Sequence, residues 1–216
     1  MADPVLNAWM TAIGRDGWAG VRIDGVAEIA AVTTEAVAKA LPDRWAALAA
    51  FGRSLDVAAL AEAGHDREAS VRDRLFALLM ARFDAAQEQR AAAQILATAA
   101  PRDPGLAAFM LVSLPPSIAR LAAAAGVATG GFAGPLRVQA LTVLYLAVAR
   151  TWLADESEDL AATMKELDAR LAQAEIWARR LPHRLASVSA VAPMPPIAPL
   201  ALPAATLQLA GGLPAG

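Results

Sequence analysis

The chain has 216 residues, of which 57% are apolar, 5% aromatic and 19% charged, with a formal net charge of −2. That length and apolarity allow a sizeable core, as one large domain or two small ones, and exclude disorder of the whole. With no cysteine and only two histidines, His65 and His183, neither a disulfide scaffold, a metal centre, a redox cofactor nor a cysteine nucleophile is expected.

About a quarter of the residues are alanine, the strongest helix former, and no stretch alternates like a strand, so the expected fold is all-α. Asp3 can cap a helix begun by Pro4, with Val5, Leu6, Trp9, Met10 and Ile13 on one face until Gly14 and Gly17. Two short helices follow, Gly25 to Ala30 and Thr34 to Leu41, with Thr33 as the cap of the second. Pro42-Asp43 restarts a longer helix bearing Trp45, Leu48, Phe51 and Leu55 to about Ala63. Asp66 to Thr98 is helical by pattern, with Val71, Leu75, Leu78, Leu79 and Phe83 opposite Arg72, Asp73, Arg82 and Asp84, and a break near Ala85 to Glu88. Pro101 and Pro104 separate the next helix, which meets a kink or break at Pro115-Pro116. After a loop from Gly126 to Gly134, an apolar helix runs from Pro135 to about Leu153 and reads as buried on nearly every side. Ser157 then caps a final helix reaching about Leu181, before Pro182. The remainder is uncharged from Leu185 and broken by Pro193, Pro195, Pro196, Pro199, Pro203 and Pro214, which reads as a disordered tail.

Met1-Ala2-Asp3-Pro4 has no basic region before an apolar core, so a secretory signal is not expected and the chain is placed in the cytosol. Charge-free stretches such as Leu121 to Leu136 are broken by glycine and fall short of a bilayer span, so no transmembrane helix is expected. No nucleophile elbow, phosphate loop or histidine beside paired carboxylates is present, so no catalytic residue is assigned and the chain reads as a non-enzyme. Gly126 to Gly131 lacks a preceding strand and a P-loop lysine and is an interhelical loop.

Gly17-Trp18-Ala19-Gly20-Val21 and the run from Val26 to Leu48 resemble the helix-turn-helix head of TetR-type regulators, without a gap. The positions that pack such a head are Val26, Ala27, Ala30, Val32, Val37, Leu41 and Leu48. The donor positions that commonly touch phosphates are instead Ala36, Ala38 and Ala40, and the turn glycine is Ala31. Residues 1–56 carry five basic side chains against seven acidic ones, which disfavours phosphate neutralisation. If the head does read DNA, the residues placed for it are Thr33, Thr34, Lys39 and Arg44, although solvated surface is the stronger reading of Lys39 and Arg44.

The rest of the chain carries a second pattern: Val71 to Asp84, Tyr145 to Trp152, then Asp155-Glu156-Ser157-Glu158-Asp159-Leu160, Thr163-Met164 and Leu167 to Leu171. It is similar to the ninth Coq protein of coenzyme Q biosynthesis and its bacterial relatives, which share the TetR-like fold. The resemblance implies a homodimer that binds an isoprenoid lipid or quinone intermediate in an apolar cavity and assists a ubiquinone-biosynthetic hydroxylase. Phe76, Leu79, Met80, Phe83, Phe109, Met110, Leu114, Leu141 and Tyr145 form an apolar set that suits such a lipid and is equally a plain core, with the Tyr145 hydroxyl as its polar handle. Trp177, Arg179, Arg180 and Arg184 end the last helix as an amphipathic surface for a membrane interface, or as arginines at the negative pole of the helix dipole. Trp152 is either a core anchor or an interface hot spot.

The expectation is therefore an all-α, TetR-like chain: a head at 1–48, a ligand-binding and dimerising body at 49–181, and a tail at 182–216. The body pairs through its last two helices across a two-fold axis. The expected function is a non-catalytic lipid-presenting role in ubiquinone biosynthesis, peripheral at the inner membrane. The competing function is a ligand-responsive transcriptional regulator that binds DNA.

Overall fold

The computed structural model describes residues 3–62 and 68–188, from 179 onward by backbone alone. Nine α-helices and no strand are present among these residues. One unit comprises residues 1–178; of the second, 179–216, only the helical backbone to 188 is described. His65, the side chain of His183 and the uncharged tail beyond 188 lie outside the described residues.

Helix α1 spans Pro4–Asp16. The Asp3 carboxylate accepts from the Val5 N–H at 2.9 Å, Pro4 occupies the first turn, and Gly17 at φ 80° ends the helix. The helix runs past the expected stop because Gly14 is tolerated inside it. A β-carbon there would stand 3.3 Å from the Ala91 side chain, so glycine allows α1 to approach α6, Arg90–Ala99. Helices α2, Ile23–Ala30, and α3, Thr34–Ala40, follow as a tight pair. Val26 and Val37 are fully buried beneath them, and the Trp9 indole N–H donates to the Leu41 carbonyl at 3.2 Å. Val32, expected in this packing, is instead exposed on the turn.

Helix α4, Arg44–Glu62, passes from this head into the body, packing on α1, on α5, Val71–Ala86, and on α7, Pro104–Ala124. The expected break is a single 3₁₀ turn, Gln87–Gln89, before α6. Helix α7 continues through Pro115-Pro116 rather than breaking there. It is also long and apolar enough to cross a membrane by length and composition alone, although no such helix is expected from the charge-free stretches of the sequence. Its Leu106, Ile118 and Leu121 are fully buried in the body, while Leu111 and Val112 are exposed.

Helix α8, Gly134–Ala154, was expected to be buried on nearly every side, yet one face is open: Leu136, Val143 and Leu146 are exposed. The turn to α9, Ala161–Val188, hangs on Asp155, whose carboxylate accepts from the Ser157 hydroxyl and from both the backbone N–H and hydroxyl of Thr163, at 2.5, 2.8 and 2.7 Å. These hydrogen bonds hold its carboxyl well below the usual range. Ser157 contributes through the Ala161 N–H, but the helix starts later than its position suggested, and the helical backbone continues past Pro182.

The head contains one strained residue. Ala31, where the resembled heads carry glycine, sits at φ 53°, ψ 41°. A left-handed alanine costs about 1–2 kcal/mol, partly offset in the glycine variant by chain entropy of about 0.5–1 kcal/mol. Ala31→Gly is therefore expected to raise the unfolding free energy by about 0.5–1 kcal/mol, read as a higher urea midpoint at unchanged slope.

Candidate functional site

Two groups of side chains stand apart from ordinary core. The first is the surface of the head. Thr33 caps α3, its hydroxyl accepting from the Ala36 N–H at 3.2 Å. Around α3 only Val37 faces inward, and Thr34, Glu35, Ala36, Ala38, Lys39 and Ala40 are all exposed. Of the four residues assigned to DNA, Thr33, Thr34 and Lys39 share this surface. Arg44 does not stand with them. Its guanidinium donates to the Trp18 carbonyl at 2.8 Å and lies over the rings of Trp18, at 4.5 Å, and Trp45, at 5.5 Å.

That arginine belongs to a cage joining head and body. Trp18 and Trp45 meet edge to face at 4.8 Å, Trp45 reaches Phe109 of α7 at 5.4 Å, and the Trp18 indole N–H donates to Asp103 at 2.8 Å. Asp103 also caps α7 through the Leu106 N–H, and these backbone and indole donors hold its carboxyl below the usual range. Phe109 is thus drawn toward the head.

The second group lies in the body. Arg82, placed on the solvent face by its charge, is 5% exposed and reaches across four helices. Its Nε donates to Asp56 of α4 at 3.0 Å, one Nη to the Tyr145 hydroxyl of α8, and the other to Ser117 of α7 at 3.3 Å. Ser117 in turn donates to Asp56 at 2.6 Å, and Arg120, on the half-exposed edge, donates to the second Asp56 oxygen. The Arg82 guanidinium lies 4.9 Å from the centroid of the Tyr145 ring, which stacks on Phe83 at 5.0 Å. Burial pushes the Asp56 carboxyl up, but hydrogen bonds from Ser117, Arg120 and Arg82, with the charge of Arg82, outweigh it and leave it below the usual value.

Of the nine residues assigned to a lipid, Leu79, Met80, Phe83, Leu141 and Tyr145 are buried, while Phe76, Met110 and Leu114 pack half-buried on the core. Among these, ring contacts join only Phe83 and Tyr145, and Phe109 sits apart with Trp45. Trp152 is core in the single chain, its indole N–H donating to Gln87 at 3.0 Å and its ring meeting Phe83 at 5.7 Å. Trp177 is exposed, and the side chains of Arg179, Arg180 and Arg184 lie outside the described residues.

Charge caused the miss of Asp56 and Arg82. Leu75, Leu78, Leu79, Arg82 and Ala86 follow one helical stripe, and the spacing that marked the others as core marks Arg82 too. Removing one partner of a buried pair strands the other, whereas replacing both is far milder. Arg82→Met is expected to cost about 3–5 kcal/mol in urea unfolding, and Asp56→Leu with Arg82→Met together less than the single change. Because the Asp56 carboxyl is depressed in the folded chain, its contribution is present above about pH 4 and is lost as pH falls through its lowered pKa.

No protein-family model matches the chain, and no curated protein does. Solved structures do. A TetR transcriptional regulator from Nitrosomonas europaea ATCC 19718 matches 80% of this chain and 96% of its own with a TM-score of 0.67 at 19% identity. A protein assigned to the TetR family of transcriptional regulators, from Rhodococcus sp., matches 79% and 96% with a TM-score of 0.56 at 24% identity. A transcriptional regulator from Rhodococcus sp. Rha1 matches 79% and 93% with a TM-score of 0.54 at 18% identity. The ubiquinone-accessory function expected from the second resemblance is thereby corrected: the structural neighbours, over head and body alike, are transcriptional regulators and favour the competing reading. Nothing in these likenesses supports the quinone, hydroxylase or membrane partners expected with that role. The residues that suggested it have local work to do, since Asp155 and Thr163 tie the turn between α8 and α9, and Asp168 pairs with Arg72 at 2.6 Å. The chain has the all-α, TetR-like fold.

Proposed function

We propose that the chain is a non-enzymatic, ligand-responsive DNA-binding regulator acting in the cytoplasm as a homodimer. The head at 1–48 meets the duplex through α3, and the body at 49–181 senses a small molecule. The observation that carries this reading is the recognition helix itself: capped by Thr33, anchored by Val37 alone and otherwise facing outward. The exposed Leu136, Val143 and Leu146 of α8 and Ile176 and Trp177 of α9 support pairing of two copies through these helices. Thr33, Thr34 and Lys39 are the DNA-facing residues in this reading, with Arg44 bracing the helix that follows.

The head's acidic balance sets what kind of binding to expect. Residues 1–56 hold five basic side chains against seven acidic ones, so phosphate neutralisation is small, and backbone N–H groups and helix ends must supply much of the grip. Selection from random duplexes is expected to return a palindrome whose half-sites are about one helical turn apart or a multiple of it. The log affinity should fall against log salt with a slope of about −4 or shallower, and Lys39→Ala should reduce that slope by about 1 per contacting protomer. Absence of any enriched site, together with no shift of random duplex at low salt, would overturn the proposal.

A further inference from the structure

Helix α3 offers a duplex very few groups that can tell one base from another. Of its seven residues only Val37 is buried. At about 100° per residue, Glu35 and Lys39 each stand about 160° around the helix from Val37, so these two form the ridge that projects furthest from the head. Thr34 lies on the flank, about 60° from Val37, and Ala36, Ala38 and Ala40 present only methyl groups. Glu35 precedes Lys39 by one turn, the spacing at which such pairs attract, yet among the described residues neither side chain has an ion-pair or hydrogen-bond partner. The centre of the outward ridge is thus an unpaired carboxylate.

We propose that Glu35 determines sequence preference, its carboxylate accepting from the N4 amino group of a cytosine in the major groove. This rests on the reading of the chain as a regulator that docks on DNA through α3. Recognition helices meet base edges with their N-terminal residues, and Glu35 is the second residue of α3. A carboxylate only accepts and is repelled by phosphates, so it gains in the groove only where a base edge donates. Two base edges do, cytosine at N4 and adenine at N6. Adenine sets its N7 acceptor beside that donor, where it repels the second carboxylate oxygen, whereas cytosine has no acceptor on its own edge. Glu35 therefore acts largely by exclusion: a site without cytosine at this position leaves an unpaired anion in the groove and is rejected. A first-turn carboxylate also suits the helix dipole, but that role is indifferent to the base opposite.

The test is selection from one pool of random duplexes by the full-length wild type, Glu35→Gln and Glu35→Ala, followed by titration of the selected sites at fixed salt. The wild type is expected to enrich a C·G pair at one position of each half-site, and replacing that pair by T·A to weaken binding about tenfold. Glutamine pairs with adenine N6 and N7, so Glu35→Gln is expected to prefer A·T at that position and to keep the other preferences. Glu35→Ala is expected to lose the preference there and to bind random duplex more tightly than the wild type, since one repelled charge is gone. A purely structural role at the start of α3 would move neither readout. Unchanged base preferences in both variants, or no gain in random-duplex affinity in Glu35→Ala, would overturn the assignment and leave the regulator reading intact. Failure of the wild type to enrich any site would overturn both.

Discussion

The body is organised around one buried ion pair. Asp56 and Arg82 take α4 and α5 out of the pattern of plain hydrophobic packing, and Ser117 and Tyr145 extend the pair to α7 and α8. An isolated guanidinium at this depth would be prohibitively costly, so the positions of four helices are conditional on one another. Apolar residues around it tolerate small shifts, whereas hydrogen-bond geometry at a charged centre does not. The pair thus contributes less to net stability than to selecting one arrangement of the helices.

The same logic explains how head and body are joined. Helix α4 is continuous from Arg44 to Glu62, with the cage of Trp18, Arg44 and Trp45 near its start and Asp56 near its end. Asp103 adds a second attachment by holding Trp18 while capping α7. Helix α4 is thus held at both ends, and α7 is attached at the same two places. Such an element has the form required for coupling, since both sites act on one physical object.

Much of the fold was legible in the amino-acid pattern because its determinants are local. Asp3, Thr33, Pro4 and Gly17 act within one turn of the helices they begin or end, and each was readable from neighbours alone. The boundaries that slipped involve partners far away. Gly14 stays helical because Ala91 comes close, and Arg82 is inside because Asp56, Ser117 and Tyr145 meet it there. Reading charge as a mark of solvent misplaced Arg82, although its spacing put it on the buried stripe. The motif between Trp152 and Asp168 was visible, but its meaning was not. Asp155 and Thr163 form a helix-turn-helix corner that needs no lipid to account for it, so spacing alone could not separate a structural corner from a functional signature. The head was legible as a scaffold for the same reason that its DNA surface was hard to read: Val26 and Val37 define packing, while the exposed alanines of α3 carry little chemistry.

The central claim is that the buried pair controls α4 along its whole length. Amide hydrogen exchange of the full chain, comparing the wild type with Asp56→Asn, tests this directly. Asparagine keeps the shape and most hydrogen bonding while deleting the charge that holds both arginines. The account predicts faster exchange from residue 56 back through Trp45 and into the Trp18 turn of the head. Faster exchange confined to the immediate neighbours of Asp56, with the head as protected as in the wild type, would contradict it.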